Sequence, residues 1–116
     1  MEIKNAALGD VPMLVIAGEV DDDSCATLRA ELERWIESGQ HVIFLDVSTT
    51  ARIAPQCMTM LGTLVRTLRW GWLGVIGADD EIGRALQAEG LAPGTNLRMF
   101  QTREAARVVT GERAST

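Results

Sequence analysis

Hydrophobic positions along the 116-residue chain fall into blocks of alternating period. Residues 12–18 (PMLVIAG) form a short apolar run closed by glycine, the pattern of a buried strand. Residues 2–8 are weaker, with Ile3 and Leu8 the main hydrophobes, and read as an edge strand. From Ser24 to Ser38 the period changes. Cys25, Leu28, Leu32, Trp35 and Ile36 fall at i, i+3, i+7, i+10 and i+11, one face of a helix, and Arg29, Glu33, Arg34 and Glu37 take the other. Asp21, Asp22 and Asp23 precede it, where carboxylates cap free amides and meet the positive end of the helix dipole. Gly39 supplies the stop.

Residues 41–47 (HVIFLDV) read as a second buried strand, followed by a polar loop over 48–55 and then a helix opening at Pro55. Met58, Leu61, Leu64, Val65 and Leu68 carry that helix at spacings of three and four, with Gly71 its end. Residues 72–77 (WLGVIG) predict a third core strand. Asp79 or Asp80 is placed to cap a helix bearing Ile82, Ala85, Leu86 and Ala88, closed by Gly90. A short strand over 96–100 and a final helix capped by Thr102, with Ala105, Ala106, Val108 and Val109, complete the order β-β-α-β-α-β-α-β-α. Strands alternating with helices imply right-handed crossovers and a mainly parallel sheet of about five strands with about four helices. The expectation is one α/β domain over 1–110 and a disordered tail over 111–116.

Composition narrows the function classes. Apolar residues make up 47% and charged residues 23%, as in an ordinary globular domain. Eleven basic against 16 acidic side chains leave a net charge of −5, which argues against a nucleic-acid surface. The longest near-apolar run, Trp70 to Ala78, carries three glycines and is far short of the roughly 20 residues of a membrane span. The first ten residues have neither the basic start nor the apolar block of a signal peptide. Cytoplasmic placement and no cofactor are the expectations.

Catalytic signatures are missing. His41 is the one histidine, at a strand start, and reads as a surface residue. No GxSxG elbow, GxGxxG or GxxxxGK[ST] loop occurs, so an enzyme is not expected. The triplet Asp21–Asp23 reads as helix capping rather than a metal site. Cys25 and Cys57 match no zinc or redox spacing and read as buried thiols. Both fall near predicted helix N-termini, where a thiolate is favoured, so a disulfide between them is conceivable. Trp70 and Trp72 flank Gly71 and read as packing residues, with a surface patch for a homodimer the alternative.

Ligands and partners of parallel sheets meet the loops at the carboxyl ends of the strands. Here these are 18–24, 48–55, 77–80 and 100–102. The loop over 48–55, with Ser48, Thr49, Thr50 and Arg52, leads into Pro55, Gln56 and Cys57 at a helix start.

The order and spacing of several short segments resemble a STAS domain, specifically the bacterial anti-sigma factor antagonists. Gly18-Glu19-Val20-Asp21 is similar to the family's Gly-Glu-Leu-Asp. Ser24, Ala26-Thr27-Leu28 and Leu32 follow in register along the first helix. Phe44-Leu45-Asp46-Val47 resembles the central strand before the signature loop. Leu73–Gly77, Ile82, Leu86 and Gly90-Leu91 match the later strand, helix and turn, and Met99-Phe100 with Thr102-Arg103-Glu104-Ala105-Ala106 the close. The resemblance runs from about Pro12 to Val109.

The resemblance implies a protein-interaction domain that binds an anti-sigma factor or serine-kinase-like regulator through residues 48–57 and the following helix, with Asp21, Asp22 and Asp23 alongside. Members that switch by phosphorylation carry Asp-Ser-[Ser/Thr]-Gly, which falls here on Ala54-Pro55-Gln56-Cys57. Gln56 then occupies the phosphorylated position and cannot accept a phosphoryl group. Control through Ser48, Thr49 or Thr50, or by abundance, stays open, and Thr59 sits less accessibly inside the helix. The acidic triplet implies a partner with a basic surface. Other STAS relatives sense nucleotides or steady a lipid-transport ATPase, for which Arg66, Arg69 and Arg84 are the candidate phosphate contacts.

Overall fold

The structure, a computed structural model, describes residues 1–68, 71–91 and 96–114, with 110–114 as helix backbone. Five strands and four helices follow in the order β1 (Glu2–Leu8), β2 (Val11–Val20), α1 (Asp22–Glu37), β3 (Val42–Ile53), α2 (Pro55–Val65), β4 (Trp72–Ile76), α3 (Asp80–Ala88), β5 (Leu97–Phe100) and α4 (Arg103–Ala114). The sheet order is β1-β2-β3-β4-β5. β1 and β2 form an antiparallel hairpin about Gly9, whose φ of 60° is cheap only for glycine. The other three pairs are parallel.

Alternation along the strands sorts the core into two layers. Leu14, Ile16, Ile43, Leu45, Val47, Leu73, Val75 and Leu97 point to one face, where α1, α2 and α3 lay Leu28, Leu32, Met58, Leu61, Ile82 and Leu86 against them. On the opposite face Met13, Val42, Phe44, Trp72 and Ile76 meet Ala106 of α4. There the Phe44 ring makes edge contacts with Trp72 and Phe100 at centroid distances of 5.6 and 5.9 Å, and Arg98 lies 4.4 Å over Trp72. Trp72 is thus a packing residue, and Trp70 lies outside the described residues. The strand residue between Phe44 and Trp72 has to be small: a Cβ on Gly74 would sit 2.5 Å from the Phe44 ring.

One expectation changes. The segment over 48–53 is not a loop but the second half of β3, which runs 12 residues. It stays paired with β2 through two register shifts, one between Val15 and Ala17 and one between Gly18 and Glu19. At each, β3 carries an extra residue, as in a β-bulge. The threonine hydroxyls close the gap, since Thr49 Oγ1 and Thr50 Oγ1 both donate to the Ile16 carbonyl at 3.1 and 2.8 Å. At the other end α4 runs from Arg103 to Ala114.

Candidate functional site

With β2 and β3 extended, the loops expected at their carboxyl ends shrink to single residues, Asp21 and Ala54. The two turns are tied together, because Ala54 N–H donates to the Val20 carbonyl at 2.8 Å. Asp21 is the N-cap of α1, its Oδ1 accepting from Ser24 N–H at 2.8 Å. That hydrogen bond holds its carboxyl below the usual carboxylate range. Asp22 and Asp23 occupy the first turn. α2 starts differently: Ala54 gives no side-chain cap, Pro55 takes the first position, and no acidic residue stands in the first turn. Its positive end is left without a carboxylate of its own.

Pro55 and Gln56 are exposed on this turn, and Arg52 is exposed beside them. Arg52 and Pro55 separate two clefts. One, of about 220 Å³, is lined by Glu19, Val20, Asp21, Asp22, Arg52, Ala54 and Pro55. The other, of about 270 Å³, runs between the end of β3, α2 and α3, with Met58 and Ile82 at its floor and Asp79, Glu81 and Glu89 among its walls. Carboxylates outnumber the single arginine along both, so the face is acidic.

The residues expected to act together therefore divide. Asp21, Asp22, Arg52 and Pro55 line one cleft, and Gln56 follows Pro55 in the exposed first turn of α2. Asp23 lines a separate cleft with Met1, Ile3 and Asn5. Cys57 is completely buried, so it offers a partner nothing. Its environment fits the reading as a buried thiol and disfavours a thiolate: burial, followed by the neighbouring Cys25 side chain, pushes the Cys57 thiol far up.

Ser48 belongs to another cluster that sequence reasoning did not single out. Asp46 is buried in the middle of the sheet. Its Oδ1 accepts from Ser48 N–H at 3.0 Å and Ser48 Oγ–H at 2.6 Å, and its Oδ2 accepts from Arg103 Nε–H at 2.6 Å. Burial alone would raise its pKa, but the two Ser48 hydrogen bonds and Arg103 outweigh it and leave the carboxyl below its ordinary value. The signal was in the sequence: one carboxylate inside the apolar run HVIFLDV has to find a partner.

Thr59 and Arg66 are also engaged. Thr59 Oγ1 lies 3.3 Å from the Pro55 carbonyl and 3.0 Å from Glu89 Oε1. Arg66 donates to the Glu89 carbonyl and so joins α2 to α3. Arg84 is exposed on α3, and Arg69 lies outside the described residues. His41 is exposed just before β3, its carbonyl accepting from Trp72 N–H at 3.0 Å. Among the described residues no group of His, Cys, Asp and Glu is arranged to hold a metal ion, and no helix is long and apolar enough to cross a membrane.

Solved structures with this architecture decide the fold. The anti-sigma factor antagonist SpoIIAA in its unphosphorylated form superposes with a TM-score of 0.74 at 15% identity, over 95% of this chain and 99% of that one. The chain has the STAS fold. The phosphorylated form of Bacillus SpoIIAA gives 0.72 at 16%, over 93% and 99%. An anti-sigma factor antagonist from Mycobacterium paratuberculosis gives 0.76 at 17%, over 97% and 93%. No protein-family model matches the sequence, and no curated protein sequence matches it. In this chain the turn opening α2, Ala54-Pro55-Gln56-Cys57, contains no hydroxyl at all.

Proposed function

We propose that the chain is a non-catalytic regulatory domain of the anti-sigma factor antagonist type. It binds an anti-sigma factor or serine-kinase-like regulator in the bacterial cytoplasm through Asp21, Asp22, Arg52, Pro55 and Gln56. The observation that carries this reading is the exposed first turn of α2, set in an acidic face on a STAS fold, with Gln56 where the family resemblance expects a phosphorylated hydroxyl. A phosphoryl group there would add a charge of about −1.5 to −2 and change the contact with a partner. Without it, binding at this turn is not gated by phosphorylation. Ser48 is a poor substitute, because phosphate on its Oγ would face the Asp46 carboxylate that it now touches at 2.6 Å.

The acidic rim favours a partner that presents basic side chains. Isothermal titration calorimetry against the anti-sigma factors and sigma-regulating kinases of the same genome tests the reading, with and without ATP. A complex of unchanged affinity in ATP, with no phosphate incorporated, is the expected result. Absence of binding by every such partner overturns it.

A further inference from the structure

We infer that Cys25 and Cys57 form a reversible intramolecular disulfide when the protein meets a two-electron oxidant such as hydrogen peroxide. They are the chain's two cysteines, and both are free thiols. Cys25 stands in the opening turns of α1 and Cys57 in the first turn of α2. Those turns are already fastened to one another by the Ala54 N–H to Val20 carbonyl bond, so the two sulfurs approach across a fixed junction. Cys57 belongs to the core layer that Cys25 packs against, and the Cys25 side chain is among the neighbours that push the Cys57 thiol up.

Their exposures differ in the way a reacting and a resolving cysteine must. Cys25 keeps part of its surface open to solvent, whereas Cys57 is sealed. A peroxide therefore meets the Cys25 sulfur first. The sulfur attacks one peroxide oxygen, the O–O bond breaks, and Cys25 becomes a sulfenic acid with release of one water. The Cys57 sulfur then attacks the Cys25 sulfur. The S–O bond breaks, the hydroxyl leaves with the Cys57 proton as a second water, and the S–S bond forms. Two thiols are oxidised by two electrons and one peroxide is reduced to two waters. Because Cys57 is the chain's other thiol and is held across this fixed junction, a disulfide forms in preference to further oxygenation of Cys25.

The crosslink would join the Asp21–Cys25 turn to the Ala54–Cys57 turn, directly beneath the proposed partner face. Its effect on partner binding rests on the preceding reading, but its formation does not. The test is made on the native full chain alone: peroxide treatment, alkylation of remaining thiols, then digestion without reductant. Both thiols should be lost together, with a linked Cys25–Cys57 peptide lighter by the two thiol hydrogens and released by dithiothreitol. In Cys57→Ser, Cys25 should instead accumulate a dimedone-trappable sulfenic acid, and in Cys25→Ser, Cys57 should stay unmodified. Oxygenated Cys25 without a linked peptide in the unmutated chain, crosslinks only between molecules, or a linked peptide formed only in urea would each overturn the inference.

Discussion

Arg103 Nε lies 2.6 Å from Asp46 Oδ2, an ion pair that reaches from the first turn of α4 to the middle strand of the sheet. The partners are unequal, since the Arg103 side chain is 48% exposed and that of Asp46 only 2%. The carboxylate is the member that cannot return to water. The pair fastens α4 over the aromatic face, and Ser48 holds the other carboxylate oxygen from β3 itself.

Removing Arg103 should therefore cost more than an exposed ion pair would. Arg103→Ala leaves a buried carboxylate with one oxygen unpartnered, and a loss of about 1.5–3 kcal/mol is expected, the usual worth of a hydrogen bond to a charged group. Asp46→Asn should fall in the same range, because it releases Arg103 to solvent and weakens both Ser48 bonds. The double variant should be less destabilised than the two single losses added together, since the sites share one interaction. Urea unfolding with an unchanged m-value reads all three. Additive losses would show that the pair is not coupled.

The same carboxylate sets an acid limit. Its pKa is depressed in the folded state from an ordinary 3.8, so its stabilising contribution is complete above that value. The contribution is lost as pH falls below 3.8 and through the lower folded pKa, where the native carboxylate is finally protonated. The urea midpoint of the unmutated chain should consequently fall steeply below about pH 4. In Asp46→Asn the midpoint should fall less over the same interval. Parallel curves for the two proteins would remove Asp46 from the acid transition.

Most of this fold was legible in its hydrophobic periods. Leu28, Leu32 and Ile36 at helical spacing, the run Ile43–Leu45, and Asp79 and Thr102 as caps all lie where the pattern puts them. The failure at Ser48–Arg52 has a physical cause. Polar residues read as loop, but strand character there comes from pairing with β2, a contact remote in sequence, and from threonines whose hydroxyls close the gap at the first of two bulges. Thr49 and Thr50 did carry a signal, as β-branched residues favour strands. The division of the acidic triplet was not legible, because three adjacent aspartates on a helix start point in different directions about its axis. Asp46 was legible in principle, since a carboxylate in an apolar strand demands a partner.

Two glycines separate backbone conformation from close packing. A Cβ on Gly71 would lie 1.7 Å from the His41 carbonyl oxygen, the acceptor of the Trp72 N–H bond that opens the β3–β4 ladder. Gly71→Ala must push these strands apart, and a loss above about 4 kcal/mol, or failure to fold, is expected. Gly39 has a φ of +93° but nothing within 4 Å of its Cβ position. Gly39→Ala should then cost only the left-handed conformation, about 1 kcal/mol. Thermal unfolding of the pair distinguishes the two causes.

The acidic triplet offers a test of the partner face that does not confuse binding with folding. Asp21 caps α1, so Asp21→Ala should lower stability by about 1 kcal/mol through the lost Ser24 N–H bond. Asp22→Asn and Asp23→Asn remove first-turn charges of equal standing, each worth about 0.3–1 kcal/mol against the helix dipole. Folding cannot tell those two apart, but their surroundings can: Asp22 lines the cleft with Arg52 and Pro55, and Asp23 lines the one with Met1 and Ile3. If a basic partner seats on the Pro55–Gln56 face, Asp22→Asn should weaken it roughly tenfold, equivalent to about 1.4 kcal/mol, and reduce the salt dependence of association. Asp23→Asn should leave affinity within about twofold, since its charge faces the other cleft and is screened over a Debye length near 8 Å. Calorimetry at two ionic strengths measures both effects. Equal losses for the two variants would mean that net charge, rather than this face, draws the partner in.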